Sequence, residues 1–351
     1  MSPDRPVVIA TRGSALALAQ ATQVLGQLQQ AFPRRSFRLE IIRTTGDALQ
    51  TASLSNPGAA LPKGLFTKEL EVALLERQAD IAVHSLKDLP TELPEGLMIG
   101  AVGQRQDVRD VLLYRDTNLV ERQRVAHSEW SPGMKIRSGF SAGLKLVRLP
   151  QRSVIATSST RRAATVQALR PDMSIIPMRG NVGTRLGKLM KDDAMDATLL
   201  AAAGLARLNF DVSPGGALRI NPRLGPVARA AVEPPPEGIL VSFLEPQEML
   251  PAVGQGAVAL EVRSDDSEIS TLVAALDHFN TRQAVTAERA FLRAFGGGCQ
   301  SPIAGYARLL GHQLELSVQV FADGQSRQAT LRAPVREADR LGRDAAACVL
   351  R

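Results

Sequence analysis

DIAVHSLKDLP, residues 80–90, runs a short apolar strand into a charged turn closed by proline. The strand reading covers DIAVHS at 80–85, so Lys87 and Asp88 fall just past its carboxyl end. In α/β sheets that end presents the ligand-binding loops. Outward from this stretch, VVIAT at 7–11 reads as a first strand and 15–31 as a helix rich in Ala, Leu and Gln. FRLEIIRT at 37–44 follows as a second strand, and TKELEVALLERQ at 67–78 as a helix with apolar residues at helical spacing. Strand, helix and strand in alternation indicate a parallel sheet covered by helices.

The same pattern returns in the middle of the chain. SVIATSS at 153–159 runs into a helix at 160–170, then SIIPMR at 174–179, a helix around 182–191 and DATLLA at 196–201. This predicts a second α/β domain, similar in style to the first but without a clean sequence repeat. PAVGQGAVALEV at 251–262 is a glycine-containing turn entering a strand, expected to cross back to the first domain. From about 279 the pattern changes: a helix at 281–295 meets GGGC at 296–299, and strand-like SPIAGYARL and QLELSVQVFA follow. A small α+β domain with Cys299 on a loop is expected. The predicted domains are 1–105 plus 255–276, then 106–254, then 279–351. Stretches 115–152 and 209–250 break the pattern and read as surface insertions, the second carrying Pro234, Pro235 and Pro236.

Composition narrows the class. The chain has 351 residues, 44% of them hydrophobic, and no apolar run long enough to span a bilayer. Its start lacks the features of a secretory signal, so a cytoplasmic protein is expected. Two cysteines, Cys299 and Cys348, exclude a disulfide framework, and the four histidines show no metal-ligand spacing. No metal is expected. A net charge of +7 raises nucleic acid as a partner, and residues 115–152 hold eight Lys/Arg against three acids. Aromatics are only 4% of the chain, which leaves few platforms for stacking bases, and no helix-turn-helix or RNA-binding signature occurs. Basic sites for small anions fit better.

Arginines recur where predicted strands end and helices begin. TRGS at 11–14 places Arg12 beside Ser14, a candidate N-cap; TSSTRR at 157–162 brings Ser159, Arg161 and Arg162; RGNVGTR at 179–185 brings Arg179 and Arg185. Helix N-termini offer free N–H groups, and arginine adds a planar fork that grips a carboxylate at two points. Each motif alone could be an ordinary cap with an exposed arginine. Together they point to a cleft between two domains that binds a small polyanion. In HSLKDLP, Asp88 could move a proton or stabilise a cation while Lys87 pairs with a carboxylate; a solvated turn closed by Pro90 is the plainer alternative. GGGCQSPIAG at 296–305 makes Cys299 reachable, as a nucleophile or attachment point, although most free cysteines are simply buried. Cys348, in an Ala-rich helical tail, is assigned to packing.

HSLKDLP, TRGS, KGLFTKELE at 63–71, SSTRR, RGNVGTR, AVGQGA at 252–257 and ERAFLRAFGGGC at 288–299 occur in the order seen in porphobilinogen deaminases (hydroxymethylbilane synthases), which the chain resembles from about residue 7 to 310. The resemblance implies two α/β domains similar to periplasmic binding proteins plus a small C-terminal α+β domain. It implies a transferase of tetrapyrrole and heme biosynthesis that condenses four porphobilinogen units head to tail with loss of ammonia. The cofactor would be a dipyrromethane joined by thioether to Cys299, and water would finally release hydroxymethylbilane. Carried over by motif, Asp88 is catalytic. Lys87, Ser159, Arg161, Arg162 and Arg185 hold the cofactor; Arg12, Ser14, Arg179, Lys63 and Phe66 bind substrate. Porphobilinogen is then the only expected partner, with no nucleic acid or membrane, and the protein a monomer. SNPGAALP at 55–62 lacks the family's second loop lysine, and Thr160 stands where leucine is common. The rival class is a non-catalytic two-domain binder of small anions, which leaves HSLKDLP and the glycine-flanked cysteine without a purpose.

Overall fold

The computed structural model describes residues 5–49, 66–126, 138–298, 301–322 and 324–350. The chain forms two compact units, Met1–Asp107 with Leu250–Arg351, and Val108–Met249. The first unit opens with β1 (Val7–Arg12), α1 (Ala15–Ala31), β2 (Phe37–Ile42), α2 (Thr45–Leu49), α3 (Lys68–Leu75), β3 (Ile81–Ser85) and β4 (Leu97–Val102). The second holds β5 (Asp110–Arg115), α4 (Thr117–Ala126), β6 (Val154–Ala156), α5 (Thr160–Leu169), β7 (Ser174–Ile176), α6 (Val182–Lys191), β8 (Ala197–Ala201) and α7 (Ala202–Arg207). It ends with β9 (Phe210–Val212), β10 (Leu218–Ile220), α8 (Pro226–Ala230) and β11 (Ile239–Leu244). Back in the first unit come β12 (Val258–Arg263), α9 (Ser267–Ala274), α10 (Phe279–Phe295), β13 (Ile303–Leu310), β14 (Gln313–Ala322), β15 (Gln325–Pro334) and α11 (Ala338–Leu350).

Each unit is built on a five-stranded mixed sheet, in the orders β2-β1-β3-β12-β4 and β7-β6-β8-β5-β11. In both, the fourth strand runs antiparallel to its two neighbours, β12 in the first and β5 in the second. Each is also the first strand made after the chain passes from one unit to the other. The correspondence extends to side chains. Asp80, just before β3, accepts from Val8 N–H at 2.9 Å; Asp196, just before β8, accepts from Val154 N–H at 2.7 Å. Arg263, ending β12, donates to the carbonyls of Leu74 and Ala79; Arg115, ending β5, donates to those of Leu189 and Met195. Both arginines are buried, where such donors must find acceptors, and both tie down the helix-to-strand turn beside their sheet. The two five-stranded sheets are therefore structural repeats.

The apolar patterning explains the layers. α1 buries Ala17, Ala21, Val24 and Leu28, one face at helical spacing, on a sheet whose β1 contributes Val7 and Ile9. β13, β14 and β15 form an antiparallel meander whose inner face packs on α10 and α11 through Phe291, Leu316, Val318 and Leu341. α10 and α11 meet closely at Gly342, where any side chain would run into the Ala287 carbonyl.

Three expectations need correction. The stretch 209–250 is not wholly a surface insertion. Its end, β11, pairs with β5 and buries Ile239, Leu240, Val241 and Leu244, because Pro234–Pro236 stop short of an apolar strand. The stretch 115–152 is likewise anchored at both ends: Arg115 is buried on β5, and Leu146 and Leu149 enter the core beside Tyr114. Cys348 is exposed, since α11 buries Ala345, Ala346 and Val349 and turns residues 347 and 348 outward.

Candidate active site

In the first unit, β1 ends at Arg12 and α1 starts at Ala15, with Ser14 as N-cap; its Oγ accepts from Ala17 N–H at 3.3 Å. Arg12 is held on two sides. Its Nε and Nη2 donate to Asp47, the first at 3.2 Å, and its guanidinium stacks 4.2 Å from the centroid of the Phe66 ring. Thr44 donates to the same Asp47 carboxylate at 2.8 Å, which fixes the acid as well. β3 ends at Ser85 and passes into a single 3-10 turn, Leu86–Asp88. Gln20, buried on α1, donates to Ser85 Oγ at 2.8 Å and so ties the helix to that turn.

These elements line one small cleft with Arg12, Ser14, Gln20, Phe66, Ser85 and Asp88 on its walls. Asp88 is exposed there and Lys87 half-buried beside it. Beneath the cleft, His84 Nε2 lies 2.9 Å from Glu261, with both groups buried. Glu71 completes this layer; burial, with the Glu261 charge behind it, pushes its carboxyl above the ordinary value.

The second unit repeats the strand–cap–helix device. Ser159 caps α5 and accepts from Arg162 N–H at 3.4 Å. Arg161 and Arg162 are buried and converge on Asp110, the first residue of β5, at 2.7 Å each. Arg162 also donates to the Leu199 carbonyl at 3.0 Å. Burial opposes the Asp110 charge, but the two guanidinium groups outweigh it and hold its pKa at about 2. The two guanidinium groups thus share one carboxylate. At α6, Asn181 is the N-cap, Arg185 is half-buried with Nε donating to the Gly180 carbonyl at 2.8 Å, and Arg179 is exposed. Gly180 has φ of 119°, and a side chain there would strike Thr184.

The Asp110 cluster gives a first prediction. Asp110→Asn removes the carboxylate that both buried guanidinium groups share and is expected to cost about 3–5 kcal/mol, read as a lowered Tm. Because the folded pKa of about 2 lies below the ordinary 3.8, this contribution is fully present above 3.8 and is lost as pH falls through the folded value. The Tm gap between wild type and variant should therefore close on acidification.

Of the expected site residues, Arg12, Ser14, Phe66 and Asp88 come together in one cleft, with Lys87 on the same turn. Ser159, Arg161 and Arg162 form a group in the second unit, and Arg179 and Arg185 flank the start of α6. Lys63 and Cys299 lie outside the described residues. Sequence reasoning missed Asp47, Gln20, Asp110 and the buried Glu288 of α10. The signal for Asp110 was an acid opening the apolar run VLLY, and that for Glu288 an acid at helical spacing from Ala284 and Phe291, since a buried acid requires a partner.

Comparison with known proteins shows the family. The family model "Porphobilinogen deaminase, dipyromethane cofactor binding domain" matches residues 7–271, and "Porphobilinogen deaminase, C-terminal domain" matches 282–351. The chain belongs to the porphobilinogen deaminase family. A porphobilinogen deaminase of Syntrophobacter fumaroxidans is 39% identical over 97% of this chain and 93% of its own. Those of Desulforudis audaxviator and Paracoccus denitrificans are 43% and 42% identical, over 90% and 91% of this chain and 84% and 85% of theirs. The activity is that of a porphobilinogen deaminase (hydroxymethylbilane synthase), a transferase of tetrapyrrole biosynthesis with a dipyrromethane cofactor domain.

Among solved structures, the BenM effector binding domain with benzoate matches at 13% identity and TM-score 0.40, over 84% of this chain and 95% of that one. The periplasmic aliphatic sulphonate binding protein SsuA of Escherichia coli matches at 11% and 0.34, over 82% and 70%. The deaminase fold is defined by its own strand orders. Among the described residues no helix is long and apolar enough to cross a membrane.

Proposed function

We propose that the deaminase chemistry runs in the cleft of the first unit, with Asp88 as the group that manages charge. The supporting observation is that Arg12, Ser14, Phe66 and Asp88 line one cavity. The substrate, porphobilinogen, carries acetate and propionate arms. Arg12, with Ser14 at the N-terminus of α1, receives a carboxylate there, and Lys87 adds a second positive charge. Asp88 accepts hydrogen bonds from pyrrole N–H groups, stabilises the cation left as the amino group departs, and takes up the proton released on coupling. Asp47 competes for Arg12, so the fork is oriented before substrate arrives.

The donor set of the second unit fits the acid arms of a dipyrromethane. Ser159, Arg161, Arg162 and Arg185 are the residues that would hold it, Cys299 would bond it by thioether, and Arg179 would meet an incoming arm. When bound, the cofactor supplies the tethered pyrrole to which new units are added. Lys63 and Phe66 would both bind substrate, and Phe66 backs the Arg12 fork. Three functional domains, 1–105 with 255–276, 106–254 and 279–351, a monomeric state and a cytoplasmic location complete the proposal.

The test is incubation of the purified protein with porphobilinogen. Ammonia release matched by formation of a linear tetrapyrrole is expected, and neither appearing would sink the reading. Arg12→Met removes a charge-assisted bidentate contact worth about 1.5–3 kcal/mol, so KM should rise about 10- to 100-fold, as measured by initial rates against substrate concentration.

A further inference from the structure

Arg289 lies outside the cleft, yet its side chain ends on the turn that carries Asp88. From α10 it donates through Nη1 to the Leu89 carbonyl at 3.2 Å, and through Nη2 to those of Pro90 and Thr91 at 2.6 and 3.2 Å. These are the three residues that follow Asp88. One helical turn earlier, Val285 packs in one apolar cluster with Leu86 and Leu89, on either side of Lys87 and Asp88.

The neighbouring Glu288 secures the other flank. Its fully buried carboxylate accepts from Arg105 at 2.6 and 3.0 Å and from Gly254 N–H at 2.7 Å. Gly254, at φ 74°, lies so close to the turn that a Cβ there would sit 3.2 Å from Lys87 N. The 3-10 turn has one internal closure, Leu89 N–H to the Leu86 carbonyl at 3.1 Å, too little to fix an exposed carboxylate by itself. Three consecutive carbonyls leaving it without a strand ladder need a donor, and a guanidinium fork reaches all three.

We propose that Arg289 is a positioning residue: it locks the Asp88 turn onto α10, the helix that in sequence leads directly to the glycines before Cys299. The inference rests on Asp88 being the charge-managing carboxylate. A helix that holds the turn and precedes the attachment point couples the two ends of the reaction in one rigid element. Lysine cannot replace the fork, since one ammonium does not span three carbonyls.

The test compares Arg289→Ala and Arg289→Lys with wild type and with Asp88→Ala, with turnover normalised to the adduct-bearing fraction by intact mass. Both Arg289 variants are expected to lose at least about tenfold in kcat with little change in KM, since small misplacement of a catalytic group costs rate rather than binding. Methylguanidinium should restore part of the kcat of Arg289→Ala and none of that of Asp88→Ala. If Arg289→Ala does not fold, Arg289→Lys decides the question. A normalised kcat near wild type in the lysine variant overturns the proposal, as does a loss confined to adduct or folded protein. Normal Arg289 variants beside an inactive Asp88→Ala would refute the clamp alone; an active Asp88→Ala would refute the reading of the carboxylate on which it rests.

Discussion

Asp88→Ala will turn over at least about 10²-fold more slowly than wild type per adduct-bearing molecule, with its Tm nearly unchanged. Both halves of that result follow from where Asp88 stands. It is exposed at the end of a 3-10 turn, so its removal leaves no buried donor unsatisfied and should shift stability by no more than about 0.5 kcal/mol. The loss in rate reflects a carboxylate facing developing positive charge in a cleft that otherwise holds Arg12. Removing one positioned electrostatic or acid–base group costs about 10²–10⁴ in rate. Asp88→Asn separates charge from shape, because the amide can still accept from pyrrole N–H but carries no charge and takes up no proton. It should be nearly as slow as the alanine variant. Single-turnover ammonia release checks both, and near-normal release from either would remove Asp88 from this role.

The main elements were legible because their physics is local. Strands at 7–11 and 80–85 and helices at 15–31, 160–170 and 182–191 announce themselves through apolar spacing and, for the first helix, through Ser14 at its cap. The repeat relating the two sheets was not legible. In each sheet the antiparallel strand comes from a part of the chain outside the run that forms its parallel strands: β12 closes the first sheet from residue 258 onward, and β5 precedes all the parallel strands of the second. A repeat whose fourth strand is displaced in this way shows no fixed period. Its markers, Asp80 with Asp196 and Arg263 with Arg115, correspond only through hydrogen bonds to other elements.

The site was legible in its cations and illegible in their partners. Arg12, Arg161 and Arg162 were found by their place at strand ends, but Asp47 and Asp110 lie 35 and 51 or 52 residues away and no local pattern links them. The same holds for Arg289, which looks like a solvated helix charge until Leu89, Pro90 and Thr91 are seen beneath it. Local spacing reveals where a charge sits along an element, while tertiary contact decides what it holds.

Cys299→Ser will yield a folded chain that never carries the pyrrole adduct and never turns over, whereas Cys348→Ser will carry the adduct and work. Thioether formation needs a thiolate that a bulky electrophile can approach, and both cysteines are candidates on chemistry alone. Cys348 is exposed on the outer face of α11. Openness alone favours attack on Cys348. Cys299 follows Gly296, Gly297 and Gly298, just after α10 ends in a left-handed Gly296 cap, and α10 is the helix whose Arg289 grips the Asp88 turn. Assigning the tether to Cys299 therefore rests on its place after the ERAFLRAFGGG stretch and not on thiol exposure. Serine keeps the shape but forms no comparably stable bond to the carbon electrophile, so intact mass of the denatured chain separates the two variants directly. An adduct on Cys299→Ser, or its loss from Cys348→Ser, would reassign the tether.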